Sequence, residues 1–431
     1  MSTDSVVIGL GSNLNNKVAN LRLALHHIKK ISGVKVKNIS AIYESQALVP
    51  EKASAEWNLD FLNAAVLVDV STEVTPNQLL LCLKKIEKDM GRLTNEVWAP
   101  RVIDLDILYW EGVSLSEPHL KIPHSQLLDR PFALLPLLDI YPEAKIAKPL
   151  WAKGWVSSVP FETHKSAKWF WPKLVGIVNL TTDSFSDGNE NLNFDKINQF
   201  IKNGADIIEL GAESTRPGAK PVSVETEWKN LNSALEFLNS LLHLSDKSVV
   251  EIGIDSYKPA VIAKCLEYFK IDYINDVTGF HQSEMKHLLK ISGKKGIVMH
   301  SLSVPPKPND FLAEDVNPVS ILSDWWHLKK SELLAFGINE NQLIFDPGIG
   351  FGKTKQQNLF LLKNLEMFHT IHDDIFIGHS RKSYQSLYSN RLAESRDLET
   401  ALMTANLNLA YTQYLRLHDL DTQKIALRFK T

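Results

Sequence analysis

The segment Leu174-Val-Gly-Ile-Val-Asn179 is a short apolar run that ends in a polar side chain, and it decides the fold of the C-terminal part of the chain. Similar runs follow it at residues 206–211, 249–255, 271–276, 296–300, 343–347, 375–379 and 414–419. Segments of helix length separate these runs, which gives the number and spacing of strands in a (β/α)8 barrel. We therefore predict an α/β fold with a C-terminal TIM barrel.

Polar side chains gather where these predicted strands end. They are Asn179, Asp255, Asn275, His300, Asp346, Ser380, Arg381, Lys382, Arg416 and His418. Barrel enzymes build their active sites at the carboxyl ends of the strands. The sequence therefore predicts an active site at this end of the barrel.

The N-terminal part alternates strand-like and helix-like patterns. Strand-like runs occupy residues 5–10, 61–70 and 105–110, and helical spacing occupies residues 18–31 and 75–90. The second helix has Thr75 as its cap and Pro76 in its first turn, and Gly91 ends it. We interpret the order as β-α-β-β-α-β, which is typical of a ferredoxin-like α+β sandwich.

A boundary lies between residues 141 and 173, where the periodicity fades. This segment contains four prolines and four tryptophans. Prolines mark a break between domains, whereas so much aromatic surface is normally buried, so we expect the segment to be docked on one or both domains. The predicted limits are an N-terminal domain at 1–159, a Trp/Pro-rich linker at 160–172 and the barrel at 173–431.

Composition and charge exclude several classes of protein. The 431 residues carry 47 basic and 50 acidic side chains, a formal net charge of −3 without long blocks of either sign. We therefore expect no nucleic-acid or membrane partner. The two cysteines, Cys82 and Cys265, have no nearby His or Cys and indicate thiols in a reducing compartment. No apolar run is long enough to span a bilayer, and we expect a cytoplasmic protein.

Asp104 and Asp106 lie two residues apart at the start of a predicted strand, so their side chains leave the same face. Two convergent carboxylates suit a Mg²⁺ ion that also binds phosphate oxygens. On its own the pair is more typical of an ordinary solvated strand face, because Leu105 and Ile107 alternate with it. Its neighbours favour phosphate chemistry, since Arg92, Arg101 and Arg130 offer paired donors to phosphate.

Together these residues resemble 6-hydroxymethyl-7,8-dihydropterin pyrophosphokinase. The resemblance covers residues 5 to about 158 and is carried by Arg101-Val-Ile-Asp104-Leu-Asp106, with Gly11-Ser-Asn13 near the start. It implies that Asp104 and Asp106 hold two Mg²⁺ ions that bridge the phosphates of ATP, the co-substrate. The other implied site residues are Asn13, Phe61, Asn63, Glu87, Arg92, Arg101, His124, Arg130 and Phe132.

The resemblance also implies which of these residues contact the nucleotide and which contact the pterin. Arg92, Arg101, His124 and Arg130 would contact the triphosphate, with Glu87 in the nucleotide site. Asn63 would hold the pterin by hydrogen bonds, and the rings of Phe61 and Phe132 would stack on it. Thr94 and Gln46-Ala-Leu48 depart from the family pattern, which bears on loop motion and rate more than on the reaction.

Two polar, glycine-terminated loops follow the first two barrel strands. They read Asn179-Leu-Thr-Thr-Asp183-Ser-Phe-Ser-Asp187-Gly188 and Glu213-Ser-Thr215-Arg216-Pro-Gly218. Either one alone could be an ordinary solvated barrel loop. The two loop sequences, together with six matching strand ends, resemble those of dihydropteroate synthase over residues 173 to 431.

Chemistry explains these residue types in such an enzyme. Asp255, Asn275 and Asp346 can pair with the amide and amino edge of a pterin, and Lys382 can meet its carbonyl and ring nitrogen. Asn179, Arg416 and His418 would form an anion pocket for the pyrophosphate leaving group, with a Mg²⁺ ion near Asn179. Ser380 and Arg381 are candidates for the carboxylate of p-aminobenzoate. The resemblance also places Thr215, Arg216 and Met299 among the substrate-binding residues.

The two resemblances imply a bifunctional enzyme of folate biosynthesis, with Mg²⁺ used in both domains. Its substrates would be ATP, hydroxymethyldihydropterin and p-aminobenzoate, and sulfonamides would inhibit it. A homodimer through the barrel is a further expectation from the resemblance. Catalytic roles fall to Arg92, Arg101, Asp104, Asp106, Lys382 and Arg416.

Two other interpretations remain open from the sequence. A pterin-dependent methyltransferase could share the pocket of Asp255, Asn275 and Asp346, although Lys382 and Thr215-Arg216 favour a synthase. A binding or scaffold protein that has lost one activity is the other, and the presence of both Asp104 and Asp106 argues against it.

Overall fold

The computed structural model describes residues 3–47, 54–92, 99–147, 163–166, 170–180, 190–214, 221–244, 250–307, 309–372 and 374–429. The chain divides into two compact units, Met1–Trp171 and Pro172–Lys430. No helix within the described ranges combines the length and apolarity needed to cross a lipid bilayer.

The N-terminal unit is built around an antiparallel sheet. Its elements are β1 (Thr3–Ser12), α1 (Lys17–Lys29), β2 (Val34–Ile39), β3 (Tyr43–Ser45), β4 (Phe61–Ser71), α2 (Pro76–Asp89), β5 (Asp104–Trp110), β6 (Leu115–Ser116), β7 (Lys121–Ile122), α3 (Pro131–Ile140) and β8 (Thr163–Lys165). The sheet order is β5-β1-β4-β3-β8, and β2 also pairs with β4. The path β5-β1-β4-β2 is that of a ferredoxin-like sandwich, which confirms the predicted fold class.

Sequence signals at both ends explain α2. Thr75 Oγ1 accepts from the Gln78 N–H at 3.3 Å, and the Thr75 N–H donates to Gln78 Oε1 at 2.8 Å. This reciprocal pair satisfies two donors that a helix start leaves open. Gly91 follows with φ +88°, a conformation that suits glycine. The predicted helix is confirmed, and it places Glu87 beside the first residues of β5.

Part of the segment predicted as a linker belongs to the N-terminal sheet. Thr163–Lys165 forms β8 and pairs antiparallel with β3. The Ser166 hydroxyl donates to Glu44 Oε1 at 2.6 Å, and Arg22 Nε donates to the Phe170 carbonyl at 2.7 Å. The first unit therefore extends along the chain to Trp171, and residues 163–166 are structural parts of it.

The C-terminal unit is a parallel barrel. Its elements are β9 (Lys173–Asn179), α4 (Glu190–Lys202), β10 (Ile207–Gly211), α5 (Val224–Leu244), β11 (Glu251–Asp255), α6 (Pro259–Tyr268), β12 (Tyr273–Asp276), α7 (Ser283–Ser292), β13 (Lys295–Met299), α8 (Pro318–Ala335), β14 (Leu343–Asp346), α9 (Lys355–Lys363), β15 (Phe376–Ile377), α10 (Asp397–Asn406), β16 (Tyr414–Leu417) and α11 (Asp421–Phe429). Each of the eight predicted runs contains one strand, so the predicted (β/α)8 barrel is confirmed.

The barrel closes through its last pairing. The sheet runs β14-β13-β12-β11-β10-β9-β16-β15, and a parallel bridge between Phe345 and Ile375 joins the two ends. Buried side chains from seven strands fill the interior: Val175, Ile207, Tyr273, Ile297, Ile344, Phe376 and Tyr414. This packed layer lies below the carboxyl ends of the strands and supports the polar residues there.

Candidate active sites

Gly11 marks the centre of the N-terminal site, because β1 pairs with β4 on one side and with β5 on the other. It lies opposite Asn63 in the first pairing and opposite Asp104 in the second. A Cβ atom at Gly11 would approach Asn63 Oδ1 to 3.4 Å and the Asp104 Cβ to 3.9 Å. Glycine at this position keeps open the space between the predicted pterin ligand and the predicted metal ligand.

Two arginines neutralise Asp104. Arg92 Nη1 donates to Asp104 Oδ1 at 2.6 Å, and Arg101 Nη1 donates to Asp104 Oδ2 at 2.9 Å. Burial opposes ionisation of Asp104, but Arg101 and Arg92 outweigh it and lower the pKa of this carboxyl below its ordinary value. Asn13 positions Arg101, because its Oδ1 accepts from the Arg101 N–H at 2.7 Å.

Glu87 lies beneath these carboxylates rather than in the cavity. It is 3% exposed, and its Oε1 accepts from the Leu105 N–H at 2.7 Å. Arg92 Nη1 approaches the same oxygen to 2.7 Å. Burial raises the pKa of Glu87, and the neighbouring cations oppose this shift. The predicted nucleotide contact is therefore an anchor between α2 and β5 in this structure.

Lys84 belongs to this cluster, although the sequence analysis did not identify it. Its Nζ donates to Glu87 Oε1 at 2.8 Å and to the Leu105 carbonyl at 2.9 Å. It also lies 3.7 Å from Asp106 Oδ1. The signal that would have identified it is its spacing of one helical turn before Glu87.

A cavity of about 360 Å³ opens beside the two aspartates. It brings together the predicted residues Asn13, Phe61, Asn63, Arg101, Asp104, Asp106, His124, Arg130 and Phe132. Ser45, Gln46 and Trp57 also line it and were not predicted as site residues. Asn63 Nδ2 donates to Ser45 Oγ at 2.9 Å, so Ser45 fixes the amide that faces Gly11. Leu48 and Thr94, named above as departures, lie outside the described residues.

His124 and Arg130 share the electrostatic field of the aspartates. Burial lowers the pKa of His124, against the influence of Asp106. Burial also lowers the pKa of Arg130, and both aspartates oppose the change. A polyanion in this cavity would favour the charged form of both side chains.

Mg²⁺ fits the donor set at this site. Asp104 and Asp106 provide carboxylate oxygens beside a cavity lined with cationic side chains, a combination suited to an ion that also binds phosphate and water. The described residues contain no group of three or more His, Cys, Asp or Glu side chains arranged for a metal ion.

In the barrel, Arg416 is held between two carboxylates. Its Nε donates to Glu209 Oε1 at 2.5 Å, and its Nη2 donates to Asp255 Oδ2 at 2.6 Å. Burial opposes the charge on Arg416, but these carboxylates outweigh it and raise its pKa. An anion in the predicted pyrophosphate pocket would therefore share Arg416 with Glu209 and Asp255.

Glu209 is a site residue that the sequence analysis missed. It is 1% exposed on β10, and Asn275 Nδ2 on β12 donates to its Oε2 at 3.1 Å. Burial raises its pKa to about 7, although Arg416 opposes the shift. The pattern of polar residues at strand ends does not include Glu209, because Glu209 lies inside an apolar run. A charged residue inside a barrel strand was the available signal.

The loop that follows β14 holds the Asp346 carboxylate and influences its pKa. Its Oδ1 accepts from the Gly348 N–H at 2.7 Å. Burial raises its pKa to about 6, against the Gly348 N–H and the cations Arg416 and Lys382. At neutral pH Asp346 is therefore a carboxylate that can accept from a ligand.

Lys353 fixes the same loop from inside the protein. Its Nζ lies 3.0 Å from the Gly348 carbonyl, 2.9 Å from the Phe351 carbonyl and 3.0 Å from His300 Nδ1. Burial lowers the pKa of Lys353 to about 7 and that of His300 to about 3. Gly348 has φ +66°, and a Cβ there would come within 1.9 Å of the His300 carbonyl oxygen. Only glycine fits at this turn.

Lys382 and Met299 form an apolar and cationic wall next to that loop. The Lys382 ammonium lies 4.3 Å from the centre of the Phe351 ring. Met299 is buried and packs with Val277 and Phe351. The predicted substrate contact of Met299 therefore comes from a side chain that also belongs to the protein core.

Positive charge collects around His418. Burial lowers its pKa well below the ordinary value, and Arg381 and Lys196 add to the effect. Its Nδ1 lies 3.1 Å from Ser380 Oγ. Lys196, on α4, was not predicted, and burial lowers its pKa to about 8. Such a concentration of cations favours an anionic ligand.

Arg381 is already paired. Its Nε and Nη2 each donate to a different oxygen of Asp397, both at 2.7 Å. A two-pronged contact with the carboxylate of p-aminobenzoate through these atoms would have to displace Asp397. Asn179 is exposed at the end of β9, where a ligand could reach it. Thr215 and Arg216 lie outside the described residues.

Two family models match the chain on either side of the unit boundary. The model of 7,8-dihydro-6-hydroxymethylpterin-pyrophosphokinase matches residues 7–142, and that of pterin binding enzymes matches residues 175–418. Fold and sites thus define a protein that joins a pterin pyrophosphokinase to a pterin-binding barrel.

Known proteins give the same assignment. The folate synthesis bifunctional protein of Chlamydia trachomatis is 32% identical, over 99% of this chain and 97% of that protein. The structure of dihydropteroate synthase from Anaplasma phagocytophilum, solved with bound 6-hydroxymethylpterin-monophosphate, matches 60% of this chain and 98% of that chain at a TM-score of 0.54 and 29% identity. The Plasmodium falciparum HPPK-DHPS structure shares the fold over 99% of this chain and 95% of that chain, at a TM-score of 0.53 and 21% identity.

This chain belongs to the family of bifunctional folate synthesis proteins. It is an enzyme with a hydroxymethyldihydropterin pyrophosphokinase domain and a dihydropteroate synthase domain, as the sequence analysis predicted.

Proposed function

We propose that the two sites described above carry out two consecutive reactions. The N-terminal site transfers a pyrophosphoryl group from ATP to 6-hydroxymethyl-7,8-dihydropterin. The barrel then condenses the product with p-aminobenzoate to give 7,8-dihydropteroate and pyrophosphate. The observation that carries this proposal is the cavity of the N-terminal unit, which joins the aspartate pair, two arginines, His124 and the predicted pterin residues.

In the kinase site, Asp104 and Asp106 would hold Mg²⁺, which neutralises phosphate charge when bound. Arg92, Arg101, His124 and Arg130 are the proposed phosphate contacts. The arginine donors that meet Asp104 in this structure would turn to phosphate oxygens once Asp104 binds a metal ion. Phe61, Phe132 and Asn63 are the proposed pterin contacts. Asn13 supports Arg101, and Glu87 supports Arg92 and the start of β5.

The residues of this site act by position and charge. Transfer requires the pterin hydroxymethyl oxygen and the ATP β-phosphorus to approach in line, which Asn63 and the two rings would ensure for the pterin. Arg101 and Arg130 would stabilise the charge that builds on the phosphates.

In the barrel, Asp255, Asn275, Asp346 and Lys382 are the proposed pterin ligands, with Met299 as part of the wall. Asn179, Arg416 and His418 are the proposed pyrophosphate ligands, and Mg²⁺ near Asn179 would neutralise the same anion. Ser380, Arg381, Thr215 and Arg216 are the proposed p-aminobenzoate residues. The cations around His418 support the anion assignment.

The synthase reaction needs no strong base in this proposal. Pyrophosphate leaves first, and its negative charge is stabilised by Arg416 and its cationic neighbours. The pterin methylene becomes carbocation-like, and the neutral arylamine attacks it. The new C–N bond replaces the broken C–O bond, and the nitrogen releases one proton to water or to the departing pyrophosphate. The barrel residues therefore position two ligands and stabilise a departing anion.

Incubation of the full chain with ATP, Mg²⁺, hydroxymethyldihydropterin and p-aminobenzoate, followed by mass detection of dihydropteroate, tests the proposal. Asp104→Asn or Asp106→Asn should abolish dihydropteroate formation from these substrates, yet retain it when pterin pyrophosphate is supplied. Asp89→Asn, an exposed position on α2, is the matched control and should keep both activities. Normal pyrophosphoryl transfer in either site variant would remove the two aspartates from the metal site.

Domain limits, assembly and location form the remaining part of the proposal. We propose that the kinase lies within residues 1–159 and the synthase within 173–431, that residues 160–172 connect them while their strand β8 completes the N-terminal sheet, and that the protein forms a homodimer through the barrel. The two free thiols, Cys82 and Cys265, support a reducing compartment such as the cytoplasm. Sedimentation analysis tests the dimer, and cell fractionation tests the location.

A further inference from the structure

Helix α10 begins with a carboxylate that is bound to Arg381. Asp397, the first residue of this helix, accepts from Arg381 Nε with Oδ1 and from Arg381 Nη2 with Oδ2, both at 2.7 Å. An acidic residue in the first turn is favourable in any helix, because it faces the positive end of the helix dipole. A helix start alone, however, does not require both carboxylate oxygens to bind one guanidinium group. The two-pronged contact therefore points to a role for Asp397 at Arg381.

The backbone of Arg381 is held in place without Asp397. Its φ angle is +59°, in the left-handed region that residues other than glycine rarely adopt. The Arg381 N–H donates to Thr400 Oγ1 at 3.1 Å, and Gln385 Nε2 donates to the same oxygen at 3.0 Å. Thr400 is 1% exposed, so this support lies inside the protein. Loss of the Asp397 carboxylate should therefore release the guanidinium group and leave the backbone of Arg381 where it is.

The guanidinium group of Arg381 borders the proposed pyrophosphate pocket. Ser380, the residue before it, accepts from the His418 N–H at 3.2 Å, and its Oγ lies 3.1 Å from His418 Nδ1. Burial lowers the pKa of His418 most, and among the charged groups that add to this shift Arg381 has the largest influence. Charge interactions decline with distance, so the Arg381 charge lies close to the ring that would bind the anion.

Asp397 limits what Arg381 can offer to an anion there. A guanidinium group carries five N–H donors, and Asp397 accepts from two of them. The other donors can still meet a phosphate oxygen, but the adjacent carboxylate offsets the positive charge and repels an anion. Pyrophosphate would therefore meet an ion pair of zero net charge at this position rather than a full positive charge.

We propose that Asp397 is a positioning residue that holds Arg381 back from pyrophosphate, weakens the binding of this product to the barrel and thereby favours its release. This inference rests on the proposed pyrophosphate pocket of Asn179, Arg416 and His418. Helix α10 would thus take part in product release, although it contributes no ligand to the pocket.

Product inhibition of the synthase measures this effect in the full chain. Dihydropterin pyrophosphate, p-aminobenzoate and Mg²⁺ are supplied without ATP, so that only the barrel reaction is followed. The readout is the inhibition constant of added pyrophosphate against dihydropterin pyrophosphate. Asp397→Asn should lower this constant roughly fivefold, because one partly exposed ion pair that competes with the anion is lost. A general loosening of the site would raise the constant, so the direction of the change identifies the role.

Three control variants separate this role from a general effect of charge. Asp397→Glu keeps the carboxylate and should stay near the value of the unaltered chain. Glu394→Gln removes one negative charge from an exposed position just before α10 and should leave the inhibition constant unchanged. In an Arg381→Met background, Asp397→Asn should no longer lower the constant.

An equal or higher inhibition constant in Asp397→Asn overturns the inference, and Asp397→Ser provides the same test if the first variant does not fold. A lower constant that persists in the Arg381→Met background also overturns it, because Asp397 would then act on the anion directly. A fall in the KM of p-aminobenzoate alone would show that the anion at Arg381 is the arylamine carboxylate, and would overturn the assignment to pyrophosphate. Failure of pyrophosphate to inhibit the unaltered chain would instead refute the proposed pocket itself.

Discussion

The carboxylate of Asp104 has an arginine donor on each oxygen, at 2.6 Å from Arg92 and 2.9 Å from Arg101. A metal ion that binds Asp104 would compete with these donors for the carboxylate charge, and we expect it to displace one of them. Nucleotide phosphates offer the displaced arginine a new partner, so metal and nucleotide should favour each other's binding.

Arg92→Met should therefore have opposite effects on two measurements. Mg²⁺ binding without nucleotide should tighten, by about fivefold, because one competing ion pair worth about 1 kcal/mol is lost. Pyrophosphoryl transfer should fall, because a phosphate contact is lost. Competition with Mn²⁺ observed by electron paramagnetic resonance measures the first effect. Asp104→Asn serves as the control variant, which should not bind the ion at this site. Unchanged or weaker Mg²⁺ binding would contradict this coupling.

Asp346 predicts how the synthase depends on pH. Burial raises its pKa to about 6, so it carries a proton below that pH and loses acceptor capacity toward the pterin. Protonation of Glu209, with a pKa of about 7, acts in the same direction because it frees the Asn275 amide. Inhibition by 6-methyl-7,8-dihydropterin should weaken as pH falls from 8 toward 5 through these two values. Asp346→Asn should bind this inhibitor more weakly and lose the pH-dependent change near the pKa of Asp346. An inhibition constant that does not vary with pH in the unaltered chain would contradict the assignment.

At the scale of elements, the loop between β14 and α9 depends on the buried amino group of Lys353. Lys353→Met keeps the length of the side chain but leaves two carbonyl groups and the His300 ring nitrogen without their donor. We expect a loss of about 3 kcal/mol in unfolding free energy and a large drop in synthase activity. Denaturant titration measures the stability. The exposed Lys355→Met, at the start of α9, should change neither quantity, and equal stability of the two variants would refute the role of Lys353.

The barrel strands could be predicted because each is a short apolar run with a polar end, and the structure confirms one strand in every run. Strands β3 and β8 have three residues each, too few to show a period, so β8 was included in a linker. The site residues at strand ends could be predicted because each is the polar residue that ends an apolar run. Glu209, Lys84 and Lys196 were missed because their roles arise from cross-strand and helix-to-strand contacts that no local pattern contains.

At the scale of the whole molecule, the two activities should respond to different inhibitors. Sulfonamides present an arylamine and an acidic group like p-aminobenzoate, so they should compete with it at the barrel. The ATP-dependent step should continue at its normal rate in their presence. Steady-state rates against p-aminobenzoate concentration, with each half-reaction assayed separately, measure both effects. Non-competitive inhibition, or slowing of the ATP-dependent step, would argue against the p-aminobenzoate site at Ser380.

Strand β8 has a practical consequence for the kinase unit when it is produced alone. A polypeptide that stops at residue 142, where the family match ends, lacks the strand that covers β3. The uncovered backbone of β3 would offer hydrogen-bonding groups to another copy, which promotes self-association. A polypeptide that continues to Trp171 should stay monodisperse in light scattering at concentrations where the shorter one aggregates. Equal behaviour of the two would show that β8 contributes little to the colloidal stability of the sheet.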